Sequence, residues 1–63
     1  MTGAEYKAAL RSLKISQREL AQRAGLSVNT VNYWVTGSRP VPRYAELILE
    51  LLQERQRIRE MMA

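Results

Sequence analysis

The chain is expected to fold as an all-α bundle of four or five short helices, and three features of its 63 residues carry that expectation. Apolar residues recur at three- and four-residue steps and nowhere alternate over the length of a strand. Hydroxyl residues precede the first three apolar runs, and glycines close the second and third. The two prolines fall together in one short stretch before the last run. At this length folding buries only about 60% of the unfolded chain's surface, so the core must be small and every helix must contribute to it.

The first helix is read over Ala4 to Leu13, with Thr2 as N-cap, Glu5 in the first turn, and Tyr6, Ala9, Leu10 and Leu13 as the apolar stripe. Lys14 links it to the next helix, and Ile15 precedes the cap Ser16, where it can staple against Leu20. Ser16 with Glu19 fits a capping box, so the second helix should cover about 17–24, with Leu20, Ala21 and Ala24 facing inward and Gly25 stopping it. Leu26 is apolar and Ser27 is the next N-cap. A third helix over about 28–36 then carries Val31, Trp34 and Val35 at helical spacing and ends at Gly37. Trp34 shares a face with Val31, which assigns it to the core. Ser38-Arg39-Pro40-Val41-Pro42 cannot continue a helix, because each proline lacks an amide donor. Pro42 suits the first position of a last helix that starts at Pro42 or Arg43 and reaches about Glu60.

Two helices of two to three turns joined by a three- or four-residue turn form a helix-turn-helix, whose second helix enters the major groove of DNA. The charge agrees. Formal net charge is +4, with seven Lys and Arg against two Glu in residues 1–43 and three Arg against four Glu in residues 44–63. The positive field thus accompanies the paired helices, as expected of a polyanion binder. There are no cysteines and no histidines, which excludes disulfides, thiolate or imidazole metal sites, and Cys or His catalysis. Glu46, Glu50 and Glu54 form a like-charged solvated face rather than a tuned acid/base pair, and no glycine-rich phosphate loop exists, so no enzyme, cofactor or metal is expected. The amino-terminal residues are polar and no apolar run exceeds three residues, so a soluble, cytoplasmic protein without signal or membrane span is expected.

The last helix carries more apolar surface than a bundle this small needs. At about 100° per residue, Tyr44, Ala45, Leu47, Ile48, Leu49, Leu51 and Leu52 span an arc of about 200°. With Ile48 and Leu52 toward the core, Leu47, Leu51, Ile58 and Met62 share the remaining side, and a homodimer contact is assigned to them.

Gln17, Leu20-Ala21, Gly25, Ser27, Thr30-Val31, Trp34 and Gly37 together resemble the lambda-repressor-like helix-turn-helix family of phage repressors, Cro proteins and small prokaryotic regulators. The resemblance is strong over 16–37 and extends over about 4–52 by helix order. It implies that the third helix docks in the major groove, with Val28 and Asn29 at the main base-reading positions and Asn32 and Tyr33 on the next exposed turn. It implies phosphate contact from Gln17, Thr36 and Ser38, and places Arg43 where some phage repressors direct a basic residue to the minor groove. Arg18, Ser27, Thr30 and Arg39 complete the expected phosphate or minor-groove set. Val28 departs from the Gln that many phage repressors carry there, which removes a bidentate adenine reader. Leu10 and Val35 replace an Arg and Glu pair of some members with an apolar contact, an exchange that is commonly neutral or stabilising.

The side chains suit these roles. Asn29 and Asn32 present a donor and an acceptor to adenine N6 and N7, and Val28 can pack on a thymine methyl. Tyr33 can donate to a phosphate or lie against the sugar edge. The expected activity is that of a transcriptional regulator binding double-stranded operator DNA, most simply a homodimeric repressor or autorepressor with no small-molecule ligand. The alternative is an antitoxin-like or adaptor module that uses the apolar last helix to hold a protein partner.

Overall fold

Each of the first three helices begins on a hydroxyl that accepts a backbone amide, and that local chemistry fixes where the elements start. The computed structural model describes residues 1–62. Helix α1 is Gly3–Leu13, α2 Gln17–Ala24, α3 Val28–Thr36 and α4 Arg43–Met62. The expected bundle therefore has four helices, α1 starting one residue before Ala4 and α4 running past Glu60. Among the described residues there is no strand.

The reciprocal capping box is in α1. Thr2 Oγ1 accepts the Glu5 amide at 3.1 Å, and Glu5 Oε1 accepts the Thr2 amide at 2.7 Å. That bond from the Thr2 backbone holds the Glu5 carboxyl below the usual range. The box expected between Ser16 and Glu19 is only half made. Ser16 Oγ accepts the Glu19 amide at 3.0 Å, but the Glu19 carboxylate turns to Arg23 one helical turn on, at 2.8 Å. An i,i+4 cation competes directly with the return bond to the cap backbone. Ser27 Oγ accepts the Asn29 amide at 3.1 Å and starts α3.

The first three helices end in left-handed caps. Gly25 and Gly37 take φ of 70° and 84°, and Lys14 takes φ of 60°. The Leu26 amide then reaches back to Ala21 O at 2.8 Å, which ends α2 and turns the chain into α3 within Gly25-Leu26-Ser27. Pro42 stands just outside α4, and its carbonyl accepts the Ala45 and Glu46 amides at 3.0 and 3.3 Å.

Every helix sends two residues to a common core: Tyr6 and Leu10, Leu20 and Ala21, Val31 and Trp34, Ala45 and Leu49. Ala9, Leu13, Ile15, Leu26, Val35, Val41, Ile48 and Leu52 pack around them, so Leu10 and Val35 do make apolar packing. The Trp34 ring meets Tyr6 and Tyr44 edge to face, each at 5.6 Å between centroids. The Tyr6 hydroxyl donates to Ala45 O at 3.2 Å and joins α1 to α4. Burial pushes the Tyr6 hydroxyl up to about 12. Helix α3 packs on both α1 and α2, while α4 lies chiefly on α1. The closest approach is at Gly3, where a Cβ would come within 2.7 Å of Val35 O and nearer still to Trp34 O.

Candidate nucleic-acid interface

Burial of Val31 and Trp34 orients α3 as a whole, because one side of a short helix cannot be seated without presenting the other. Val28, Asn29, Asn32, Tyr33 and Thr36 are all exposed, and at about 100° per residue they share an arc of about 140°. Neither Asn29 nor Asn32 hydrogen-bonds through its side-chain amide to another described residue. Two amides on a short helix, each with donor and acceptor free, suit the edge of a base pair. Val28 stands beside them, 39% exposed, as an apolar contact.

The carboxyl-terminal edge of α3 is tied together by its own side chains. Thr36 Oγ1 donates to Asn32 O at 2.9 Å and lies 3.0 Å from Ser38 Oγ. The Arg39 amide donates to Tyr33 O at 3.2 Å, and the Arg39 guanidinium lies 4.6 Å over the centre of the Tyr33 ring. The start of α2 supplies a second edge: Gln17 is half-buried and Arg18 is exposed. Ser27 is engaged as the α3 cap, and Thr30 is half-buried with its amide bonded to Ser27 O at 3.1 Å.

Arg43 is placed differently. Its guanidinium bonds to Glu46 at 3.1 Å and lies 3.5 Å from Glu50, and the Glu46 bond above all raises its affinity for its proton. The same bond from Arg43 holds the Glu46 carboxyl low, and the Met1 ammonium adds a second contact at 3.2 Å. The spacing of Arg43, Glu46 and Glu50 on one helix makes this capture readable in the sequence. The stacking of Arg39 on Tyr33 was not, because it depends on the path of the chain through the left-handed Gly37.

The helix-turn-helix family model matches residues 7–55, which takes in most of α1, all of α2 and α3, and α4 as far as Arg55. The chain belongs to the lambda-repressor-like helix-turn-helix family. Members of this family are DNA-binding regulators rather than enzymes, and this helix-turn-helix protein is a DNA-binding regulator of the Cro/repressor type whose partner is double-stranded DNA. No match was found among curated proteins or solved structures. Among the described residues no group of acidic side chains could hold a metal ion, and no helix is long and apolar enough to cross a membrane.

Proposed function

We propose that this helix-turn-helix protein is a cytoplasmic homodimeric repressor, or autorepressor, that occupies an inverted-repeat operator and excludes polymerase from a promoter. The observation that carries the reading is the solvent face of α3, where Asn29 and Asn32 offer unspent amides on a helix seated by Val31 and Trp34. Val28, Asn29 and Asn32 face the bases, Tyr33 stands at the rim of that face beside Arg39, and Gln17, Arg18, Ser27, Thr30, Thr36, Ser38 and Arg39 lie toward the phosphates. Arg43 joins them by exchanging its carboxylate partners for a phosphate or for the minor groove.

One small domain with few reading residues has limited affinity, whereas a two-fold dimer reads two half-sites and gains from effective concentration. The dimer contact is assigned to Leu47, Leu51, Ile58 and Met62, whose side of α4 stays in solvent although Ala45 and Leu49 are buried. That exposure also favours the second reading, a protein-interaction module whose partner covers α4.

In vitro selection of random duplexes with the purified protein tests the proposal. The expected result is an inverted repeat with half-sites about 34 to 36 Å apart and A/T pairs at the Asn-reading positions. Affinity for the selected duplex should fall about 10³- to 10⁵-fold between about 50 and 200 mM salt if the dimer makes about six to ten phosphate contacts. Selection without symmetry, or a strict monomer in sedimentation equilibrium at tens of micromolar with and without the selected duplex, would remove the dimer and leave α4 to a different protein.

A further inference from the structure

The edge that follows α3 has a proton inventory that singles out one residue. The Thr36 hydroxyl has a single hydrogen, and its shortest acceptor is Asn32 O at 2.9 Å. With Thr36 donating there, the 3.0 Å contact between Thr36 and Ser38 is completed by the Ser38 hydrogen. In that arrangement both hydroxyl donors are spent inside the protein. Neither can reach a phosphate oxygen as a donor without giving up a bond that shapes the turn.

Arg39 is the donor that remains. Among the described residues it has no carboxylate partner, whereas Arg23 is held by Glu19 and Arg43 by Glu46 and Glu50. Its contact is instead the Tyr33 ring, 4.6 Å from the guanidinium carbon. A ring face attracts the cation through its quadrupole and takes none of the five N–H donors. The backbone bond from the Arg39 amide to Tyr33 O, at 3.2 Å, fixes the same pair from the main chain.

We propose that Tyr33 is a positioning residue: its ring holds Arg39 at the carboxyl-terminal edge of α3 as the phosphate donor of that edge, while Thr36 and Ser38 brace the turn. The inference rests on the reading of this face as the DNA surface. It gives Tyr33 a role exerted through Arg39, and it commits the edge to one charge-assisted contact per protomer. A long side chain held in place before binding loses less freedom on binding, and that saving is the contribution of the ring.

The test combines a double-mutant cycle with a measurement that needs no DNA. Binding to a short mixed-sequence duplex is followed by fluorescence anisotropy across a salt series, for wild type, Tyr33→Phe, Tyr33→Leu, Arg39→Ala and the Tyr33→Leu/Arg39→Ala pair. Arg39→Ala should weaken binding and reduce the log-log salt slope by about 0.9 for each phosphate that the protein no longer neutralises. Tyr33→Leu should weaken binding about two- to fivefold, Tyr33→Phe should match wild type, and Tyr33→Leu should add nothing once Arg39 is alanine. In the free protein, NMR should find the Arg39 side-chain protons shifted upfield by the ring in wild type and Tyr33→Phe, and restored in Tyr33→Leu. If Tyr33→Phe is as harmful as Tyr33→Leu, or if the two losses add, Tyr33 contacts DNA itself and the positioning role is overturned. Absence of the ring-current shift in wild type overturns it as well. If Arg39→Ala leaves affinity and slope unchanged, Arg39 is not the phosphate donor and the inference is overturned; if Asn29→Ala also leaves affinity for the selected operator unchanged, the DNA face itself is misplaced.

Discussion

Helices α3 and α4 are both seated by two buried residues, yet they turn opposite chemistries to solvent. In α3 the anchors are Val31 and Trp34, and the outward side presents amides and hydroxyls. In α4 the anchors are Ala45 and Leu49, and the outward side includes Leu47 at 43%, Leu51 at 67% and Ile58 at 48% exposure. A polar outward face leaves its hydrogen bonds to be completed by a ligand, whereas an apolar one gains only by leaving water. The contrast assigns reading to α3 and protein contact to α4, and it can be broken from either side.

The largest effect should come from emptying the α3 seat. Trp34→Ala removes the ring that meets both Tyr6 and Tyr44, and should cost about 3 to 5 kcal/mol, enough to abolish the cooperative thermal transition in circular dichroism. A variant that stays folded and loses only DNA preference would mean that α3 is rotated about its axis, with Trp34 on the DNA side.

The α4 seat should fail at high pH. The Tyr6 hydroxyl, raised from 10.0 to about 12, is favoured in its neutral form by the fold. That contribution is complete below the ordinary tyrosine value and is lost as pH rises through the folded value. Its full size is about 2 to 3 kcal/mol. Denaturant titrations between these two pH values should show the loss in wild type, and Tyr6→Phe should lack that component.

Next in size is the junction of α1 with the end of α3. Gly3→Ala places a methyl against the Trp34 and Val35 carbonyls, and should cost about 1 to 3 kcal/mol despite the better helix propensity of alanine. A melting temperature at or above wild type would show that the junction yields.

Asn29→Ala and Asn32→Ala should leave the melting temperature within a degree or two, since neither side chain is bonded to another described residue, yet each should cost about 1 to 3 kcal/mol on the selected operator. Equal losses on the operator and on random duplex would demote both from readers to general contacts. Smallest in stability should be Leu51→Glu combined with Ile58→Glu, about 0.5 kcal/mol or less for substitutions in solvent. The same pair should convert a dimer to a monomer in sedimentation and abolish cooperative operator binding, while a lost fold would place this face in the core.

Helix limits, caps and core anchors were legible because they are near-neighbour chemistry. Ser16, Gly25, Ser27 and Gly37 bracket α2 and α3 at the residues the pattern required, and the three- and four-residue spacing of Val31, Trp34 and Val35 placed Trp34 inside. The resemblance named positions on α3, and burial left Val28, Asn29, Asn32 and Tyr33 outward, but which bases that face meets lies in the DNA.

The sequence by itself determined the all-helical class, the turn between α2 and α3, the cationic bias and the apolar excess of α4, because these follow from residue type and spacing along one chain. Tertiary structure alone decided that Gly3 must lack a side chain, that Tyr6 reaches the Ala45 carbonyl, that Lys14 takes a left-handed cap and that Arg39 settles on Tyr33. It also decided which part of the α4 arc is buried: Ala45 and Leu49, toward one end of the arc, are buried, while Ile48 and Leu52, expected to face the core, are half-buried beside them. Each of these depends on the angle and distance at which helices cross or on the path of the chain past a cap, and neither is encoded in the period of a single helix.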